Sequence, residues 1–183
     1  MVPLHCCPLS AYAESVILRD ATGEDWPSIY PFFAETVAAG ETYAYPEDLS
    51  SEDARALWMQ PPPWRTIVAV EGDRVLGTAI VGPNRPGRGS HVATASFMVA
   101  PAAQARGVGR ALGEHVLELA RDIGYRAMQF NAVVETNLAA VALWRSLGFN
   151  ILATVPQAFD HPRHGLVGLH IMYRPLVPPD PPS

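Results

Sequence analysis

The chain reads as a single α/β domain on a mixed sheet, with approximate element order β-α-α-β-β-β-α-β-α-β-β. Three observations carry that reading. Two β-branched runs flank Glu71-Gly72-Asp73-Arg74, the mark of a hairpin. Between Arg106 and Ile123, the residues Leu112, Val116, Leu119, Ala120 and Ile123 recur at helical spacing. A glycine-bearing turn joins an apolar strand to the start of that helix, in the stretch VAPAAQARGVGRAL.

Taken in order, SVILRD (15–20) is a short strand. Thr22 and Asp25 form a capping-box pair ahead of WPSIYPFFAETVAAG (26–40), whose Ile29, Phe32, Phe33 and Val37 mark a buried helical stripe. Pro27 is tolerated in a first turn, whereas Pro31 should kink or delay the helix. Gly40 ends it, and GETYAYPEDLS connects to a second helix, capped by Ser51, that runs to about Trp58. TIVAVEGDRVLGTAIVGP (66–83) is the hairpin and HVATASFMVA (91–100) the next strand. After the helix from Arg106 comes the strand RAMQFNAVV. Asn137 then caps the helix NLAAVALWRSL, which Gly148 closes. ILATV and LVGLHIMYR are closing strands, with PQAFDHPRHG as the loop between them. The domain is expected to span 15–174, with 1–14 and the proline-rich tail 175–183 as flexible ends.

Composition narrows the partners. At 183 residues and 49% hydrophobic, the chain can bury one substantial core. A formal charge of −5 supplies no basic field for nucleic acid, and no apolar run reaches membrane-spanning length. Cys6 and Cys7 are adjacent and the only cysteines, so no disulfide framework exists. A cytoplasmic location is the default expectation. Asp160, His161 and His164 resemble a metal cluster but lack further ligands, so no metal is expected. Trp58 and Trp64 could serve a homodimer contact, although core packing explains them as well.

The glycine loop is an anion cradle on chemical grounds. A helix N-terminus presents unpaired N–H groups and a partial positive charge, and glycines let an anion approach the backbone. Gln104, Arg106 and Arg110 add side-chain donors. The loop contains no lysine, which removes the Walker A reading, and no third glycine stands at the dinucleotide offset.

What remains is Q-x-x-G-x-G after an apolar strand. Gln104-Ala105-Arg106-Gly107-Val108-Gly109 resembles the acetyl-CoA loop of the GNAT superfamily of N-acetyltransferases, and NLAAVALWRSLGF (137–149) resembles its N-x-x-A-x-x-L-[YF]-x-x-L-G-F segment. The resemblance implies a mostly antiparallel central sheet with splayed central strands, flanked by helices. It places pantetheine on the backbone of Phe97, Met98 and Val99. The pyrophosphate falls on Gln104, Arg106, Gly107, Val108, Gly109, Arg110 and Ala111, with Asn137, Ala140 and Trp144 completing the acetyl-CoA site. Arg106 and Arg110 stand near enough for the 3′-phosphate. Glu41, Tyr43 and Tyr45, in the connector between the first two helices, would wall the acceptor amine.

The chemistry departs from that family's usual pattern. Its glutamate base would stand near Thr94 or Ser96, neither of which is a strong base, and its acid tyrosine is Trp144 here. Asn131, Glu135, Thr94 and His91 are therefore the catalytic candidates; His115 shares the core stripe of its helix. Without a carboxylate base, a lysine-like amine of pKa ~10.4 costs roughly 4.5 kcal/mol to deprotonate at pH 7, against about 1.4 for an α-amine near 8. That weakly favours small free amines. GETYAYP, GPNRPGRGSH, FMV and FNAVVETN further resemble the branch that acetylates azetidine-2-carboxylate and related proline-like amino acids, with Asn131 and Asn137 matching and Thr94 departing. Proline-like amines have a high pKa, which opposes the preceding argument. The expected activity is acetyl transfer from acetyl-CoA to a small amine, an amino acid or amino-acid analogue, in a ternary complex. Protein N-terminal or lysine acetylation and a non-catalytic acyl-CoA sensor stay open.

Overall fold

The computed structural model describes residues 16–177. Cys6, Cys7, the stretch 1–14 and the tail beyond 177 lie outside the described residues. Four strands lead into the site: β1 (Ile17–Asp20), β2 (Arg65–Glu71), β3 (Arg74–Pro83) and β4 (Val92–Val99). Beyond them lie β5 (Ala127–Val134), β6 (Asn150–His161) and β7 (Gly165–Pro175). The helices are α1 (Trp26–Ala38), α2 (Ser51–Trp58), α3 (Val108–Asp122) and α4 (Leu138–Ser146). The strands form one seven-stranded sheet in the order β1-β2-β3-β4-β5-β7-β6. Every pairing is antiparallel except β4 with β5. This is the mixed, mostly antiparallel sheet that was expected, with helices on both faces.

Two cores sandwich the sheet. On one face, Leu112, Val116 and Leu117 of α3, Trp144 of α4 and Leu147 at its C-cap pack with Met128, Phe130 and Met172. Gly113 allows that approach, since a Cβ there would lie 2.7 Å from Leu147 Cδ1. On the other face, Ile29, Phe33, Val37 and Trp58 of α1 and α2 cover Val68, Ile80 and Met98. Trp58 is fully buried, so the sequence-based idea of an exposed contact through it is corrected. Its indole Nε1 donates to Thr78 Oγ1 at 3.1 Å, and that hydroxyl donates to Ile67 O at 2.9 Å. The buried Trp58 indole and Thr78 hydroxyl are thus both paired. Trp64 is half-buried under β3, where a Cβ at Gly82 would meet its ring at 2.3 Å.

Local differences from the sequence reading have identifiable causes. Pro31 lies within α1 without ending it, because only one i→i−4 bond, to Pro27, is lost. The α2 cap is Ser50, whose hydroxyl accepts from Asp53 N at 3.1 Å; Ser51 Oγ instead accepts from Trp26 Nε1 at 2.9 Å, tying α1 to α2. The segment expected as a loop, PQAFDHPRHG, is mostly strand: β6 runs on to His161 and only a tight turn precedes Gly165. Register shifts at Ile151/Ala153 and Val155/Phe159, with Gln157 at φ 52, break the alternation that would have revealed it. Pro156 is tolerated because β6 is an edge strand.

Ahead of α1, the capping box forms as expected, with Thr22 N donating to Asp25 Oδ2 at 2.7 Å. Arg19 grips the same carboxylate with two bonds of 2.8 and 2.7 Å. That guanidinium, opposed by partial burial and aided by Thr22, holds the Asp25 pKa at about 2. Because the folded pKa lies below the unfolded ~3.9, the stabilisation is complete above pH 4 and is lost as pH falls towards 2. An Asp25→Asn variant should lose about 2 kcal/mol at pH 7 and no longer shed that increment between pH 4 and 2. Urea titrations across that pH range measure both effects.

Candidate active site

The site begins where two strands part. β4 and β5 are in register only at Val92↔Ala127 and Ala93↔Met128. Past Ala93, β4 keeps its ladder to β3 as far as Gly77↔Val99 while β5 turns away to β7. Bonded pairs alternate along an antiparallel ladder. Asn84 N donates to Val92 O at 2.8 Å and Ala100 N to Leu76 O at 2.9 Å. Even-numbered residues of β4 thus bond to β3, and Ala95, Phe97 and Val99 turn their N–H and C=O groups into the split. Met98, expected as a backbone contact, is corrected on this point: its peptide groups face β3 and its side chain lies in the α1–α2 core.

The split opens into a cavity of about 460 Å³. Its walls include Thr94–Val99 of β4, Phe130–Val134 of β5, Thr42–Tyr45 of the connector, and Gln104, Asn137, Ala140 and Trp144. At its phosphate end, Ala105 (φ 59) and Gly107 (φ 83) adopt left-handed torsions, and Gly107 N-caps α3. A Cβ at Gly109 would make only ordinary contacts of 3.6 Å with Leu143 and Val99, so packing does not require glycine there. An extended group with amides followed by a diphosphate, the outline of acetyl-CoA, fits the split and the N-terminus of α3 beyond it. Asn137 Oδ1 accepts from Ala140 N at 3.1 Å, which caps α4 and leaves Nδ2 to donate elsewhere.

Side-chain partners sort the remaining candidates. Arg106 is held by Glu71 at 2.6 Å and Arg110 by Ser146 Oγ at 2.8 Å. Arg106 foremost, then Arg74, keeps the Glu71 carboxyl below its usual range. Both guanidiniums, expected near the 3′-phosphate, bond within the protein and stay about half exposed, at 44% and 49%. Glu135 is not on the cavity wall, because its Oε1 accepts from Gly168 N at 2.5 Å on β7. His91 sits exposed at the far end of β4, with Nδ1 3.1 Å from Arg88 O. Both are withdrawn as bases on these positions. Thr94 and Asn131 do line the cavity. Asn131 Oδ1 accepts from Gln129 Nε2 at 2.8 Å and its Nδ2 donates to Asn84 Oδ1 at 2.6 Å, which fixes the amide's orientation.

On the connector side, Tyr43 and Tyr45 stack at 5.4 Å with planes 8° apart, and Tyr43 stands edge-on to Trp58. Tyr43 Oη donates to Phe97 O at 2.7 Å, and burial pushes both phenols upward from their usual pKa. Glu41 is outside the wall and pairs with Arg163 of the β6–β7 turn at 2.5 Å. Thr42 and Thr36 were missed in the sequence. Thr42 Oγ1 is buried without a partner, and Thr36 lies on the helical face one turn after Phe32. None of the wall residues is Asp, Glu, Lys, Arg or His. Among the described residues no three metal-ligating side chains converge, and no helix is long and apolar enough to cross a membrane.

The acetyltransferase (GNAT) family model matches residues 24–149. The chain belongs to that family. A GCN5-related N-acetyltransferase from Kribbella flavida is 61% identical over 88% of this chain and 98% of its own, with a TM-score of 0.86. The Salmonella typhimurium acetyltransferase yncA, solved with its cofactor acetyl-CoA, is 25% identical over 92% of this chain and 98% of its own, with a TM-score of 0.77. N-acetyltransferase aca1 of Schizosaccharomyces pombe is 36% identical over 84 residues, which cover 46% of this chain and 40% of that protein. The match thus spans less than half of that curated relative's length.

The cradle is testable by a single methyl. Gly109→Ala should leave the melting temperature unchanged or slightly higher, since alanine favours helix, while weakening acetyl-CoA binding about tenfold or more by calorimetry.

Proposed function

We propose that the protein transfers the acetyl group of acetyl-CoA to the amine of a small molecule, an amino acid or amino-acid analogue, by direct attack in a ternary complex. The observation that carries this reading is the uncharged, aromatic-walled end of the cavity beside the connector. The stacked Tyr43 and Tyr45 close one side. The β6–β7 turn reaches the same connector, with Pro162 3.6 Å from the Cβ position of Gly40 and Arg163 on Glu41. Such walls suit a small acceptor better than an extended polypeptide.

Acetyl-CoA, bound in the split, supplies the activated acyl group. The chain's own residues then hold the two reactants together, an arrangement worth several kcal/mol of the barrier. The Phe97 N–H faces the split as a fixed donor for oxyanion charge. The orphaned Thr42 hydroxyl and the Asn131 amide offer neutral hydrogen bonds to the acceptor. A proline-like amino acid, the finer reading, would set its ring against Tyr43 and Tyr45. Its carboxylate would rest on those neutral donors, because no cationic side chain lines the wall. With no carboxylate base on the wall either, the amine must shed its proton to water before attack.

An amine and amino-acid panel assayed for thiol release tests the proposal. The expected result is turnover with at least one small amine, with kcat/KM rising tenfold per pH unit up to that amine's pKa. Cofactor binding without any turnover would favour the acyl-CoA sensor instead. Arg163→Ala, which unclasps the turn, should raise the acceptor KM about three- to tenfold while leaving acetyl-CoA affinity unchanged. The clasp is partly exposed, so its effect on stability should stay below about 1 kcal/mol.

A further inference from the structure

The α4 residues of the cavity wall, Ala140 and Trp144, carry no hydroxyl. Trp144 packs 4.7 Å from Phe97 and 4.9 Å from Phe130 by ring centroids, and an indole N–H is a poor proton donor to sulfur. Across the split, the connector supplies what α4 lacks. Tyr43 Oη reaches the Phe97 carbonyl at 2.7 Å, beside one of the peptide units that face into the split. Tyr43 and Tyr45 are the wall's only side chains with a phenolic or other ionisable proton, and Tyr43 is the one placed on β4.

We infer that the Tyr43 hydroxyl, supplied by the connector, is the proton donor to the departing CoA sulfur. The inference rests on the acetyl-transfer reading above. In the unloaded site the phenol rests on Phe97 O. An amide N–H of an extended ligand in the split would compete for that carbonyl and release the phenolic proton towards the thioester. The step balances within the site. The amine nitrogen bonds to the carbonyl carbon and the C–S bond breaks. The sulfur takes the Tyr43 proton, and the phenol oxygen recovers one from the attacking nitrogen, directly or through water. Nothing is oxidised or reduced, and the net products are the amide and the free thiol. Burial disfavours a lasting phenolate, so the two proton movements must be closely coupled.

The ring is held for this task. Tyr45 stacks on one face, the Trp58 indole meets it edge-on at 6.0 Å, and Trp58 is itself tied to β3 through Thr78. A phenylalanine preserves all of these contacts and removes only the hydroxyl.

The test compares wild type with Tyr43→Phe for steady-state thiol release, acetyl-CoA affinity by calorimetry and melting temperature with and without acetyl-CoA. The expected result is a fall in kcat of about a hundredfold, with acetyl-CoA affinity and acceptor KM within threefold of wild type. A hydroxyl that merely braces β4 would instead weaken acetyl-CoA binding and lower the melting temperature while sparing kcat; that outcome overturns the proposal. So does an unchanged kcat. If the wild type releases no thiol with any amine while binding acetyl-CoA, the transferase reading fails and takes the donor role with it. That result is distinct from loss of the role alone, in which wild type turns over and Tyr43→Phe matches it.

Discussion

The parting of β4 from β5 after Ala93 is the constraint on which the rest of the structure depends. Backbone N–H and C=O groups withdrawn from water are costly unless paired, and the odd-numbered residues of β4 lose their strand partner midway through a central position in the sheet. The protein keeps the opening by building both sides independently. β4 is secured by its ladder to β3, and β5 by its ladder to β7, which shifts register between Phe130 and Val133 as the strand bends away. The aromatic cluster of Phe97, Phe130, Trp144 and Phe149 then wedges the floor of the gap. An extended ligand with alternating amides would complete the ladder and recover hydrogen bonds that folding alone leaves unmade.

The phosphate end follows from the same strand. Because β4 stops at Val99, the chain must turn sharply into α3. The left-handed torsions at Ala105 and Gly107 bring successive peptide N–H groups to the helix start, as in other backbone anion nests. The two arginines in this loop also brace the fold. Arg106 is spent on Glu71 at the β2–β3 turn, which pins the loop to the hairpin, and Arg110 braces α3 against α4. Backbone N–H groups held in this way form a cradle that is set before any anion arrives.

This division explains what was legible in the sequence. The place of the loop at the start of α3, the α4 cap at Asn137 and the order of strands and helices are written locally, in glycine spacing, capping residues and periodicity, and the structure has all three. Side-chain roles depend on partners distant in sequence. Glu135 is adjacent in sequence to the cavity wall, yet its carboxylate belongs to Gly168, 33 residues on. Arg106 meets Glu71 across 35 residues, and Tyr43 meets Phe97 across 54. The extent of β6 was hidden for a different reason, since two register shifts and a proline erase the period of two that marks a strand.

The acceptor end carries a further consequence of charge placement. A wall without a formal charge gains little from Coulombic steering, and it leaves a desolvated carboxylate or phosphate with neutral donors only. It also spares an incoming amine from being held as ammonium, since an acidic neighbour would favour the charged, non-nucleophilic form. The missing glutamate therefore acts in two directions: it removes a base, and it removes the field that would keep the amine protonated. Ground-state protonation becomes a property of the acceptor and the bulk pH. What the protein adds is the geometry of the split, the fixed backbone donors of β4, and a neutral phenol held in place by the rings of Tyr45 and Trp58.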